Sequence, residues 1–134
     1  VSNLKIIENV ALPILFHTTL SNNDGLKRAL ELLRRVGFTG DVWSLPGPLP
    51  FYKKKVVAFA RAMALDPDIV ICNRFLVGLD KQQRGHMLGL LDEFQKAKEG
   101  RLTILTTSEE RDFAVLPLSR KYRIKEKGLR RIDE

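Results

Sequence analysis

The sequence predicts an α/β fold in which parallel strands are flanked by helices. Two β-branched runs, Ile69 to Cys72 and Leu102 to Thr107, are short, apolar and bounded by turn chemistry, the pattern of buried parallel strands. Before and between them lie segments whose apolar residues recur at helical spacing, giving the order helix, strand, helix, strand, helix. With 134 residues the chain is long enough for one domain with a real core.

The elements follow in order. Ser2 or Asn3 can cap a first helix that sets Ile6, Ile7, Val10 and Ala11 on one face, with Pro13 ending or kinking it. Asn22, Asn23 and Asp24 offer the next cap. Leu26, Ala29, Leu30, Leu33 and Val36 then trace a helical stripe that stops at Gly37. The segment "TGDVWSLPGPLP" is a loop by its proline and glycine content, with room for one short helical turn. A dense apolar set, Val56, Val57, Phe59, Ala60, Met63 and Ala64, predicts a mostly buried helix from Pro50 to Leu65, broken by Asp66-Pro67. After the first strand, Asp80 caps a long helix from Lys81 to Glu99, closed by Gly100. Ser108 can cap a short helix through Glu109, Glu110 and Arg111, whose acids suit its first turn. The basic tail "RKYRIKEKGLRRI" alternates and turns at Lys127-Gly128, a polar β-hairpin pattern.

Composition bounds the partners. The 44% hydrophobic and 29% charged fractions are those of a globular protein, and no apolar stretch approaches the ~20 residues that span a bilayer. Cys72 has no partner for an internal disulfide and reads as a buried free thiol, with a reducing compartment as the default. The net charge of +7 is concentrated in Lys53-Lys54-Lys55 and in the tail from Arg120 to Arg131. Such charge can attract nucleic acid or anionic lipid. The plainer expectation is a set of solvated faces, and with Tyr122 the tail's only aromatic a base-stacking surface is disfavoured. His17 and His86 have no metal-ligand spacing with Cys72 and read as surface residues; no metal site is expected. The chain opens at Val1 directly on a helix-start pattern, as a fragment or processed product would.

Taken together, "LPFYKKKVVAFARAMALDPDIVICNRFLVGLD" resembles the signature helix, Walker B strand and D-loop of ATP-binding-cassette (ABC) transporter ATPases. "TILTTSEE" sits where that family has its switch-histidine strand, and "SNLKIIENVALPI" looks like the start of its helical subdomain. The resemblance covers essentially the whole chain, as the C-terminal half of the family's ATPase domain. It implies a partial P-loop NTPase-type (ABC ATPase) fold: parallel strands flanked by helices, plus a helical subdomain. Residues 4–49 would be helical-subdomain-like and 50–134 the C-terminal part of the ATPase core, within a single domain or fragment of 1–134.

The functional positions implied by the resemblance are altered. Asn73 and Arg74 stand where the family has the Mg²⁺-orienting aspartate and the water-polarising glutamate. An amide is a poor Mg²⁺ partner, and a guanidinium stays protonated, so Arg74 cannot be a general base. The signature Leu-Ser-Gly-Gly-Gln matches Leu49, Pro50, Phe51, Tyr52 and Lys53, where bulk replaces residues that must let a γ-phosphate approach closely. Ser108 matches the switch histidine and cannot reproduce an imidazole. Gly78, Leu79 and Asp80 keep the D-loop pattern. No glycine-rich phosphate loop occurs in these residues; ATP and Mg²⁺ are expected only if such a loop lies upstream of Val1, and no cofactor is expected for this chain itself.

The expectation is therefore a degenerate ATPase homologue, not an enzyme by itself, serving a transporter as a structural or regulatory subunit. The resemblance implies as partners a membrane-spanning transporter subunit, docked on a surface from Leu4 to Leu49 with Trp43 and Phe38 as candidate anchors, and a second ATPase-domain copy in a homo- or heterodimer. It implies a cytoplasmic location, peripheral on the inner face of the membrane. Two alternatives stand beside it: part of an active transporter ATPase with its loop upstream, and a basic module for nucleic acid or anionic membrane. With the family's N-terminal half absent, one sheet face and edge would be exposed.

Overall fold

The computed structural model describes residues 2–109, 112, 118–126 and 128–132. The element order is α1 (Ile6–His17), α2 (Asn22–Arg35), α3 (Phe51–Met63), β1 (Ile69–Asn73), α4 (Lys81–Lys96), β2 (Leu102–Thr106), β3 (Tyr122–Lys125) and β4 (Gly128–Arg131). The α/β class holds, and β1 and β2 run parallel with α4 as the crossover.

Helix α1 starts later than its sequence caps suggest. Lys5, not Ser2 or Asn3, occupies the cap, and its N–H donates to Glu8 Oε2 at 2.7 Å. The first N–H groups of the helix are satisfied from a distance: Ile6 donates to Ser44 O and Ile7 to Val42 O, each at 3.0 Å. The proline-rich loop thus caps α1. Pro13 sits inside the helix, which runs on to His17. The cap of α2 is Ser21, whose hydroxyl accepts from Asp24 N at 3.1 Å, rather than one of the three residues after it. Its stop at Gly37 is as expected: Phe38 N donates to Leu33 O and Gly37 N to Arg34 O, a Schellman closure that needs the φ of +70° at Gly37. Gly25 lets α2 lie close on α1, since a Cβ there would stand 2.4 Å from Leu15 Cδ2.

Helix α3 joins these two helices to the rest. Val56, Val57, Phe59, Ala60 and Met63 are buried in one cluster with Ile6, Ile7 and Val10 of α1, Leu33 of α2, Val70 and Cys72 of β1, and Met87, Leu90, Leu91 and Phe94 of α4. Phe59 is the joint, edge-on to Phe94 at 6.2 Å and tilted against Phe75 at 6.0 Å. Helix α4 begins at Asp80, whose carboxylate accepts from Gln83 N at 2.9 Å, and ends at Lys96, short of Glu99. Its last turn is held by buried Arg101, which donates to Pro67 O at 2.9 Å, to Phe94 O and to Asp66, and lies 3.5 Å over the Phe94 ring. A cation there satisfies carbonyls that a helix end leaves open.

The strands depart from expectation on one side. Ile69 pairs with Leu102, Val70 with Thr103, Ile71 with Ile104, Cys72 with Leu105 and Asn73 with Thr106. Val70 and Cys72 face the core, while Ile69, Ile71, Leu102 and Ile104 are exposed. The runs read as buried on both faces are buried on one, so one sheet face is open as the family resemblance implied. The tail forms the antiparallel hairpin β3–β4, with Ile124 opposite Leu129 and Lys125 opposite Gly128; Lys127 of its turn lies outside the described residues. Glu110 and Arg111, placed by the sequence in a short helix, lie outside them too.

Candidate functional site

The carboxyl end of β1 is built from three segments. Asn73 ends the strand, and its Oδ1 accepts from Thr106 Oγ1 of β2 at 2.6 Å. Arg74 follows with φ +50°, a left-handed conformation that glycine adopts freely and other residues at a cost. Its N–H donates to Thr106 O at 2.9 Å, and its side chain is exposed. The turn is clamped from α3, where Lys55 Nζ donates to Arg74 O at 3.0 Å and to Phe75 O at 2.9 Å. Burial first, and then the Arg74 charge, lower the Lys55 amine from its usual value.

Of the five signature-aligned residues, Phe51 is the one that closes over the D-loop-like turn. Leu49 packs against the core, and Pro50 occupies the cap of α3 with no side-chain bond. Phe51 lies on Gly78, where an added Cβ would come 2.9 Å from its ring, and Gly78 itself has φ +77°. Lys55 Nζ sits 5.2 Å from the Phe51 ring centroid, a cation–π contact. Tyr52 OH hydrogen-bonds His86 Nδ1, with the rings edge to face at 5.8 Å; burial, and then Asp80, raise the Tyr52 phenol. Leu79 is buried and Asp80 caps α4.

Two sequence expectations are corrected here. His86 is half-buried in a bond to Tyr52 rather than a surface residue, whereas His17 is exposed as expected. The lysine trio is not a solvated cluster: Lys53 Nζ donates to Thr39 O at 2.6 Å and Lys55 clamps the Arg74 turn, leaving Lys54 exposed. One half of the supposed basic patch is therefore engaged in holding loops.

The switch-histidine position behaves differently again. Ser108 is exposed, and the hydroxyl that accepts from Glu109 N, at 3.0 Å, belongs to Thr107. Thr107 Oγ1 also donates to Asp112, a carboxylate buried to 1% exposure that pairs with Arg84 of α4. Arg84 reaches Leu76 O at 3.3 Å and Glu109 at 3.9 Å as well. One guanidinium thus ties the D-loop-like turn to the end of β2. Sequence reading missed this network. Its signal was present: Arg84 lies three residues before Met87 and seven before Leu91, on the inward stripe of α4.

Helices on a parallel two-stranded sheet, with a glycine turn after β1 leading into a capped helix, define part of a P-loop NTPase-type domain. Comparison with known proteins narrows the class. No family model matches the chain. The methionine import ATP-binding protein MetN 1 of Pseudomonas fluorescens is 36% identical over 111 residues, 83% of this chain and 32% of that protein. The methionine import ATP-binding protein MetN of Lactobacillus johnsonii is 37% identical over 123 residues, 92% of this chain and 34% of that protein. The lipoprotein-releasing system ATP-binding protein LolD of Psychrobacter arcticus is 29% identical, over 82% of this chain and 48% of that protein. A dimeric structure of the ATP-binding cassette MJ0796, in a post-hydrolysis state bound to ADP and Pi, matches with TM-score 0.72 and 26% identity, over 83% of this chain and 49% of that one. The chain is a homologue of ABC transporter ATP-binding proteins and matches a C-terminal part of their ATPase cassette. It spans about a third of the methionine-import relatives and about half of the lipoprotein-releasing one.

The residues at the β1 tip do not fit Mg²⁺. The one side-chain oxygen at the strand end, Asn73 Oδ1, already accepts from Thr106, and the neighbouring charges, Arg74 and Lys55, are both cationic. Among the described residues, no group of three or more histidine, cysteine or acidic side chains could hold a metal ion.

Proposed function

We propose that this chain is a catalytically silent homologue of an ABC transporter ATP-binding protein, unable to hydrolyse ATP by itself and acting as a structural or regulatory part of a transporter. The observation that carries the proposal is the β1 tip. A glutamate there would orient a water, whereas Arg74 is a permanent cation on a left-handed turn locked by Lys55 and Thr106. The signature-aligned segment supports the same reading, because Phe51 puts a ring, packed on Gly78, where the family's signature has a serine or a glycine. The partners proposed are a membrane-spanning transporter subunit and a second ATPase-domain copy, at the inner face of the cytoplasmic membrane. No helix among the described residues is long and apolar enough to cross a membrane. Of the two anchors proposed for the membrane subunit, Trp43 is 53% exposed with Lys5 over its ring at 5.3 Å, whereas Phe38 packs against the core. Trp43 is the one in position to meet a partner.

The test is thermal. A ligand that binds the folded state raises its melting temperature, by about 2.7 kcal/mol of stability at a hundred times its Kd. The expected shift with millimolar Mg-ATP is nil, and a rise of several degrees overturns the proposal. A second reading, part of an active ATPase whose phosphate loop lies upstream, is favoured by the relatives' greater length. Phosphate release by a longer polypeptide carrying this chain, lost on Arg74→Ala, would establish it.

A further inference from the structure

Helix α2 has two working faces. Ala29 and Leu33 pack into the core, while Arg28, Leu32 and Arg35, spaced i, i+4 and i+7, form a second stripe. On α4, Glu93 lies beside Leu90 and Phe94 in the same manner. Between these stripes, over the C-terminal half of α3, lies a cavity of about 350 Å³. That is near the lower end of the roughly 300–1,000 Å³ of ligand sites, room for a small molecule but not for a peptide. Its floor is apolar: Phe59 and Met63 of α3 and Leu90 and Phe94 of α4, all buried. Two rings and a thioether suit an aromatic body. No residue of the β1 tip or of the exposed sheet face lines the cavity, and all its walls come from this chain.

The charges around it define the ligand. Asp66 also lines the cavity, but its carboxylate is taken by Arg101 and Lys98. Arg28, Arg35 and Glu93 are different: none of the three has a side-chain hydrogen bond or ion pair among the described residues. Cations thus stand on the α2 wall and an anion on the α4 wall. A purely anionic or purely cationic ligand is attracted by one wall and repelled by the other, whereas a zwitterion matches both. We infer that this cavity binds a small aromatic zwitterion of the α-amino acid kind. Its ring lies on Phe59, Met63 and Phe94, its carboxylate turns to an arginine of α2 and its ammonium to Glu93. A guanidinium suits the carboxylate because it can donate two parallel bonds to it. All three charged side chains are exposed, so they supply selectivity more than tightness. The inference is independent of the β1 tip and stands whether or not that tip is silent.

The experiment titrates the isotopically labelled chain with L-phenylalanine and follows its amide NMR spectrum. Saturable shifts are expected at Leu32, Val36, Met63 and Ala97, and none at Gly78 or Thr106, with a Kd of roughly 0.1–1 mM. Phenethylamine, which lacks the carboxylate, and phenylpropionate, which lacks the ammonium, should each bind at least about fivefold more weakly. Glu93→Gln should remove the preference over phenylpropionate, and the double variant Arg28→Gln/Arg35→Gln the preference over phenethylamine. Both changes fall on exposed side chains without partners, so the variants keep the fold. The absence of saturable shifts up to about 10 mM overturns the inference, as do shifts centred away from the cavity. Equal affinity for the amino acid and either of its halves overturns it too, since the charged walls would then take no part. No nucleotide enters the assay, so failure here is distinct from failure of the silent-ATPase reading.

Discussion

If the side chain of Arg74 has no catalytic or structural duty, glycine should serve better in its place. The backbone at Arg74 has φ +50°, and a left-handed conformation costs a non-glycine residue roughly 1–2 kcal/mol. Glycine removes that cost but loses about 0.4–1 kcal/mol to the greater freedom of the unfolded chain. Removing the guanidinium also relieves its repulsion of the Lys55 amine, one of the two causes that lower that amine. Arg74 enters the bonds of the turn through its backbone atoms, its N–H to Thr106 O and its carbonyl from Lys55 Nζ, so the substitution leaves them in place. Arg74→Gly is thus expected to stabilise the fold by about 0.5–1 kcal/mol, a rise of roughly 2–5 °C in Tm for a domain of this size. Urea unfolding followed by circular dichroism, with the slope compared between variants, reads the change directly. Destabilisation by more than about 1 kcal/mol would refute the reasoning, since the guanidinium would then hold a contact worth more than the strain.

Three further outcomes follow from the same geometry. Arg84→Met leaves the Asp112 carboxylate buried without its cation and should cost about 3–5 kcal/mol, while the double variant Arg84→Met/Asp112→Leu should recover most of that; a double-mutant cycle on urea midpoints checks the coupling. Lys55→Met removes the clamp on two carbonyls and should cost about 1–3 kcal/mol, less in an Arg74→Gly background, where the turn is no longer strained. Burial pushes the Cys72 thiol up to about 11 from an ordinary 9.0, so the folded state favours the protonated form. Its contribution is fully present below pH 9.0 and is lost as pH rises towards 11, about 1–2 kcal/mol once solvent screening is allowed for. Wild type minus Cys72→Ala, in urea midpoints from pH 8 to 10.5, should fall along that slope; a flat difference means that Cys72 is not desolvated.

What the sequence disclosed and what it hid divide along one physical line. Periodic features were legible: the stripe Leu26, Ala29, Leu30, Leu33 ending at Gly37, the cap at Asp80, and the alternation that became β3–β4. Each depends on neighbours within about one helical turn or one hairpin. The spacing of the resemblance also singled out Asn73, Arg74 and the segment Leu49 to Lys53, which the structure brings to the turn after β1 and to the start of α3. The boundaries that shifted were decided from afar. Helix α1 begins at Ile6 because Ser44 and Val42 supply its first acceptors, and it passes Pro13 because α2 and α3 bury its apolar face. Long-range polar pairs were the least visible. A lysine trio reads as solvated charge until Thr39, Arg74 and Phe75 are seen to present carbonyls to two of its members. Arg84 lies on the inward stripe of α4, but nothing near it in the chain names its buried partner, Asp112, 28 residues on. These pairs also hold the shape of the β1 tip without an acid in it. Backbone carbonyls gripped by Lys55 and the buried Arg84–Asp112 pair, which also reaches Leu76 O, hold the turn after β1, and none of these contacts needs a carboxylate at position 73 or 74.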